Sequence, residues 1–381
     1  MQNRAGKTVE NLSGDSAYLS FCPQPLPPQP NIQIDEEMQR LLIEAHKKLE
    51  LLNGLSARIP NNDLFVSMYV RKEALVSSQI EGTQCTLDDV LNPEIDENAN
   101  ADVSDVVNYV RAVNFAAERM KELPLCSRLI RETHRVLMQS VRGCDKTPGE
   151  FRRSQNWIGG AGSTLKNARY IPPNVEDMVR CMSELEIFMN ADDGMDSLVK
   201  VSLLHYQFET VHPFLDGNGR VGRLLITLFL MQKNEINSPV LYLSCFLKTN
   251  RIEYYDRMSE IRRSGNYEQW VKFFLSGIAQ TAQDAVETID KLTALHKKNE
   301  EKLAGISARS RKNILNLFEY IEKKPIIETV KTAEELGCSR NAAAGYIAVL
   351  CEKGILKKSG KSGKALLFSY EEYLEILRKD T

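Results

Sequence analysis

From Ile34 to about Leu303, apolar residues recur every three or four positions with few interruptions, a period that only α-helices bury on one face. Met38, Leu41, Leu42, Ala45 and Leu49 form one stripe. Leu64, Met68, Leu75 and Ile80 form a second, which stops at Gly82, a residue suited to the left-handed position after a helix. Thr86-Leu87-Asp88-Asp89 begins another helix with a local cap. Two amphipathic helices follow between Val103 and Arg142, separated near Pro124. The pattern resumes at Val175–Met189, Leu198–Thr210, Arg220–Gln232, Tyr254–Phe274 and Ile278–Leu303. The expected fold class is mainly α, and no internal repeat points to a solenoid.

Three stretches break the pattern. The first thirty residues are polar and end in Pro23-Gln24-Pro25-Leu26-Pro27-Pro28-Gln29-Pro30, which reads as an extended arm over 1–33. Gly143 to Pro173 is rich in Gly, Asn and Pro. Its short alternating pieces Phe151-Arg152-Arg153, Asn156-Trp157-Ile158 and Arg169-Tyr170-Ile171, set around Gly159-Gly160-Ala161-Gly162, predict a β-hairpin flap. The third break covers 305–381, where 14 Lys/Arg stand against 10 Asp/Glu, giving +4 and leaving −6 for residues 1–304. The net charge of −2 gives no global argument for a polyanionic partner.

The eight cysteines include no CxxC pair or zinc-ligand cluster, so they read as free thiols in a reducing cytoplasm. The longest strongly apolar run, Leu224 to Met231, is far below the roughly 20 residues of a membrane span. We expect a cytoplasmic protein with no membrane partner.

The chemistry concentrates in His212-Pro213-Phe214-Leu215-Asp216-Gly217-Asn218-Gly219-Arg220, a loop between two predicted helices. Gly217, Asn218 and Gly219 lead into a helix N-terminus, where free N–H groups and the positive end of the dipole favour an anion. Arg220 and Arg223 follow at i and i+3 and form a clamp suited to phosphate oxygens. Asp216 offers a hard oxygen for Mg²⁺, an ion commonly held by one carboxylate plus nucleotide phosphates. His212 titrates near neutrality and suits proton transfer from a hydroxyl. Singly these features are a turn, a helix boundary and a surface acid. An EF-hand fragment is excluded because the other ligand positions are apolar or basic.

Residues 212–223 match the pattern HxFx[D/E]GNGRxxR, and the helical surroundings from about 100 to 250 resemble the core of the Fic-domain (Fido) family. The resemblance implies a helical core with a β-hairpin flap. It implies a protein adenylyltransferase that moves AMP from ATP to a Ser, Thr or Tyr hydroxyl on a protein, with diphosphate leaving. His212 would be the general base and Asp216 the Mg²⁺ ligand. Phe214 would anchor the loop. Pro213, Leu215, Gly217, Asn218 and Gly219 would line the ATP site, and Arg220 and Arg223 would bind its phosphates. Gly219, where kinase-type relatives carry Lys, argues for AMP transfer. By the same resemblance, Gln207, Asn250 and Tyr254 are candidate contacts near the nucleotide base.

Ser77, Glu81 and Gly82 match the family's inhibitory form [S/T]xxxE[G/N], placed before the core. The implied brake pairs Glu81 with Arg223, so that ATP binds without alignment for attack. The 151–171 flap would receive a protein substrate as an added strand. In the C-terminal segment, Thr332 to Gly337 reads as a helix, followed by a second capped by Ser339 and running through Leu350. Gly354-Ile355-Leu356 and Ala365–Phe368 flank a basic turn, Lys357–Lys364. That order resembles a winged helix, a small α/β domain. DNA binding there would use Arg340, Asn341, Lys357, Lys358, Lys361 and Lys364, with protein docking or dimerisation as the competing role.

The segments read as a Pro-rich arm (1–33), a helical region with the inhibitory motif (34–100), the Fic core (101–255), a helical connector (256–304) and the winged-helix-like end (305–381). Two other activities remain open: a hydrolase removing AMP at the same site, with Glu81 positioning water, and a nucleotide-sensing DNA-binding regulator. A homodimer also stays open.

Overall fold

The computed structural model describes residues 3–56, 62–92, 101–139, 145–160, 162–362, 365–379 and 381. Arg142, Gly143, Ala161 and Lys364, named in the sequence readings, and one of the eight cysteines, Cys144, lie outside them, as does the side chain of Leu64. The helices are α1 (Glu36–Ser56), α2 (Asn62–Ile80), α3 (Leu87–Leu91), α4 (Ala101–Arg119), α5 (Ser127–Leu137), α6 (Val175–Asn190), α7 (Ser197–Val211), α8 (Asn218–Gln232), α9 (Ser244–Thr249), α10 (Arg251–Ser264) and α11 (Tyr267–Leu303). Beyond them come α12 (Ala308–Lys323), α13 (Thr329–Glu335), α14 (Arg340–Glu352) and α15 (Glu371–Arg378). The strands are β1 (Gly6–Asn11), β2 (Tyr18–Pro23), β3 (Ile326–Glu328), β4 (Lys357–Ser362) and β5 (Ala365–Ser369). The chain is mainly α, as its periodicity requires.

Two compact units emerge, one from 1–51 and 108–282, the other from 52–107 and 283–381. Their boundaries fall at 51/52, 107/108 and 282/283. Each unit is built from two stretches distant in sequence, because packing joins helices that the period alone cannot pair.

In the first unit α7 is central. Every residue from Leu198 to Val211 is buried, so this helix has no polar face to turn outward. It packs against α8, whose residues from Val221 to Leu230 are also buried. Trp270 of α11, fully buried, donates its indole N–H to the carbonyl of Ser202 at 2.8 Å. The N-terminal residues expected to be a loose arm are instead folded. β1 and β2 pair antiparallel from Gly6↔Pro23 to Asn11↔Tyr18, and the amide N–H of Phe21 reaches the carbonyl of Ile171. Backbone pairing supplies order there that a polar composition does not advertise.

The break expected between 274 and 278 lies instead at Gly265, whose φ of 76° caps α10. Gly277 continues α11 without interruption. A Cβ there would stand 2.6 Å from the Phe246 ring, so the glycine serves close packing rather than a turn.

In the second unit Thr86 accepts from the Asp89 N–H, and the Asp89 carboxylate accepts from the Thr86 N–H, the capping box its sequence predicts. Arg378 of α15 binds both Asp88 oxygens, at 2.9 and 2.8 Å. The ammonium of Lys72 on α2 donates to the carbonyl of Lys379. The sheet order is β3-β5-β4, antiparallel throughout, with a bulge between Lys358 and Gly360. The basic stretch read as a turn is therefore mostly a strand. Ser339 caps α14 by accepting from the Ala342 N–H, as expected.

Candidate functional site

The loop between α7 and α8 is short because both helix ends are forced. His212 takes φ 49° and ψ 62° and closes α7 with its N–H on Phe208, and Pro213 has no N–H to extend the helix. A left-handed backbone costs a non-glycine residue about 1–2 kcal/mol, so contacts elsewhere must hold His212 there. Gly217, at φ 76°, is the N-cap of α8. A Cβ on it would meet the Met138 sulfur at 2.8 Å.

The carbonyls of His212, Pro213, Phe214 and Asp216 are occupied. That of His212 accepts from Arg152 Nε at 3.0 Å and Asn156 Nδ2 at 3.2 Å. That of Pro213 accepts from the Arg152 amide, and that of Phe214 from the side-chain amides of Asn156 and Asn218 at 2.9 and 2.8 Å. The Asp216 carbonyl accepts from His134 Nε2 at 3.0 Å. Asn218 also takes the Phe214 N–H on its Oδ1, so one buried side chain ties both backbone groups of Phe214 to the start of α8. With the carbonyls taken, the N–H groups of Leu215, Asp216, Asn218, Gly219 and Arg220 have no acceptor among the described residues. A row of unpaired donors at a helix N-terminus is an anion site.

Phe214 anchors the loop, fully buried and stacked on the His134 ring at 3.7 Å and 3°. His134 is held neutral. Its Nδ1 accepts from the Gly149 N–H at 2.9 Å while Nε2 donates to Asp216, and burial lowers its pKa to about 4. Arg220 and Arg223 are both buried one turn apart on α8, and Arg220 Nη2 lies 3.8 Å from Asp216 Oδ1. Asp216 Oδ1 also accepts from the Gly217 N–H at 2.6 Å. Its Oδ2 has no partner among the described residues, which fits a carboxylate presenting one oxygen to a cation. Among those residues no cluster of three or more ligating side chains occurs, so any Mg²⁺ would rely on Asp216 and phosphate oxygens.

Three expected base contacts fare differently. Tyr254 is 2% exposed, its hydroxyl 3.0 Å from His205 Nε2 and its ring among Trp270 and Tyr255, so it packs as a core residue. Gln207, 1% exposed, gives its amide to the carbonyl of Gln24, the residue after β2, at 2.9 Å. Asn250 lines an open groove of about 760 Å³ with Ile252, Asp256 and Arg257. In the flap, the described residues form a single bridge, Ile158↔Tyr170, in place of the hairpin expected over 151–171. Alternation there comes without a pairing partner along its length. Trp157 is 42% exposed at its tip.

In the second unit, α2 ends at Ile80, and Glu81 stands exposed just beyond it, before Gly82 at φ 101°. Ser77, one turn earlier, is fully buried, so the two do not share a surface face although an i, i+4 spacing would allow it. His134, Arg152 and Asn156 were missed as site residues. Nothing local marks them, because each meets the loop across 56 to 82 residues.

Residues 39–118 match the Fic/DOC family N-terminal region, and residues 124–230 match the Fic/DOC family. A protein adenylyltransferase Fic of Culex quinquefasciatus is 34% identical over 144 residues, 37% of this chain and 25% of that protein. One from Drosophila erecta is 27% identical over 215 residues, 53% of this chain and 40% of that protein. The chain thus spans well under half the length of these curated relatives. Among solved structures, a Fic family protein from Desulfovibrio desulfuricans G20 superposes with a TM-score of 0.57 at 18% identity, covering 89% of this chain and 97% of that one. A Fic domain containing signaling protein from Bacteroides thetaiotaomicron VPI-5482 gives 0.50, covering 66% and 96%. These likenesses establish a shared fold. Residues 124–230 form a Fic/DOC family domain, preceded over 39–118 by that family's N-terminal region.

Proposed function

We propose that this chain is a nucleotidyltransferase that moves AMP from ATP to a Ser, Thr or Tyr hydroxyl of a target protein. The observation that carries the reading is the set of N–H groups with no acceptor among the described residues, those of Leu215, Asp216, Asn218, Gly219 and Arg220, with His212 at one end of the loop and Arg220 and Arg223 behind it. The relatives named protein adenylyltransferase Fic support it. The N–H row and the two guanidinium groups bind the phosphates of ATP. His212 accepts the proton of the incoming hydroxyl as its oxygen bonds to the α-phosphorus and the bond to the leaving diphosphate breaks. Asp216 would hold Mg²⁺, which neutralises developing phosphate charge when bound. Asn250 remains a candidate contact for the base. The exposed tip of the 151–171 flap is our candidate dock for the protein substrate. The seven described cysteines, all free, fit a reducing, cytoplasmic setting.

The motif of Ser77, Glu81 and Gly82 supports a brake in which Glu81 competes with phosphate for Arg223. Incubation with α-labelled ATP tests both parts. His212→Ala should abolish protein labelling, and Glu81→Gly should raise it, self-labelling included. Label retained in the His212 variant removes the proposed base, and equal labelling of wild type and Glu81→Gly removes the brake. Release of AMP from a modified target by wild type would favour the reverse hydrolysis.

A second reading concerns 305–381. The exposed residues Arg340, Asn341, Lys357, Lys358 and Lys361 lie on α14 and β4, in the order helix, helix, hairpin of a winged helix. Among the described residues these four cations form no ion pair. We propose that this face binds duplex DNA through its phosphates. A mobility shift that weakens with salt supports this, and no shift on any duplex at low salt sinks it.

A further inference from the structure

Arg152 is 1% exposed, yet among the described residues it has no carboxylate partner. Its guanidinium is spent on carbonyls: Nε on His212 at 3.0 Å, Nη1 on Ser154 at 3.4 Å, and Nη2 on Pro173 and, at 3.5 Å, on Val211. Burial lowers its pKa to about 10. Desolvating a guanidinium with no counter-charge is costly, and folded chains seldom retain one without a positional need. Asn156 converges on the same point. Its Nδ2 bridges the carbonyls of His212 and Phe214 at 3.2 and 2.9 Å, and its Oδ1 is buried with no partner among the described residues.

What these donors hold is the residue at φ 49°, the one place in the loop where a side chain of chemical interest sits on a disfavoured backbone. The His212 carbonyl lies past the end of α7, and no helical N–H is available to it. Two side-chain donors from one segment take that role and turn the peptide after His212. Rotating that peptide would swing Cα–Cβ and the imidazole with it. Lysine could not substitute for Arg152, because an ammonium lacks the planar fork that reaches several carbonyls at once.

We infer that Arg152 and Asn156 are positioning residues that fix the direction of the His212 imidazole for proton transfer while taking no part in binding nucleotide. The inference rests on the adenylyl-transfer reading above.

The test uses the full chain carrying Glu81→Gly as parent, with Asn156→Ala as the main variant and Arg152→Lys as the second. For Asn156→Ala the expected result is a kcat for protein labelling about 10- to 100-fold lower, the scale of a misplacement near 1 Å. The Kd for ATP by calorimetry should stay within about twofold, because the N–H row and Arg220 are untouched. The His212 Cα and Cβ chemical shifts should leave the range of a left-handed residue. Arg152→Lys should fail to restore kcat. A kcat within twofold of the parent, or an ATP affinity falling in step with kcat as for general loosening, overturns the inference. If the parent itself transfers no AMP, the functional proposal falls, and the positioning claim is decided by the backbone shifts. Unchanged His212 shifts in Asn156→Ala refute it, and shifts that leave the left-handed range uphold it.

Discussion

Acid should loosen the loop through His134 before the carboxylates of the chain are protonated. The ring is buried, stacked on Phe214, and committed at both nitrogens, with Nδ1 accepting from Gly149 and Nε2 donating to Asp216. A proton added at Nδ1 would face an N–H already aimed at it, and the nearby Arg220 charge opposes it as well. The folded pKa is lowered to about 4, against 6.5 for the exposed ring. In that window the unfolded chain binds the proton and the folded chain does not. Stability is therefore complete above about pH 6.5 and is lost as pH falls toward 4. A shift of about 2.5 units amounts to about 3 kcal/mol over the whole window. His205, fully buried against Gly222 and Tyr254 and lowered by burial to about 3, pulls in the same direction, so wild type alone cannot isolate the effect. Urea unfolding of wild type and His134→Gln between about pH 4.5 and 7.5 separates them. The variant should start less stable but lose stability more slowly by about 1.4 kcal/mol per pH unit, the slope of one proton. Parallel lines for the two proteins, or a His134 resonance that titrates near 6.5 in the folded state, would refute the reasoning.

Two further outcomes follow from the packing. In Gly222→Ala the new Cβ stands 2.2 Å from Glu209 Oε1. The helical gain of about 1 kcal/mol is outweighed by displacing a buried carboxylate, and net destabilisation of about 1–3 kcal/mol should appear in the same urea titration. On the DNA reading, replacing Lys357, Lys358 and Lys361 by Ala should flatten the slope of log affinity against log salt by roughly 2–3, with no preference among duplex sequences.

The helices were readable from periodicity because burial of a stripe is a local property, and the site's own loop was readable because its chemistry lies within twelve consecutive residues. Pairing and support were not. The Gly6–Pro23 hairpin hid behind a proline-rich stretch, since strand pairing leaves no trace in composition. In the flap the reverse occurred, with alternating residues and only one bridge. Tyr254 showed helical spacing that suits a rim or a core equally, and its burial beside His205 and Trp270 is legible only in three dimensions. Arg152 was visible as one basic residue among three; its value lies in a carbonyl 60 positions away.

The second unit closes across the chain: Lys72 reaches the carbonyl of Lys379, 307 residues on, and Arg378 grips Asp88. During synthesis, α2 and the capped α3 emerge long before α15 exists to meet them. That unit cannot complete its folding until residues 371–379 have been made, whereas the central pair α7 and α8 can form as soon as 197–232 are available. Nascent chains halted near residue 300 should therefore hold Glu81 on an unfinished scaffold, and shortening the protein from its C-terminal side would alter the segment of the proposed brake as well as the DNA-binding candidate.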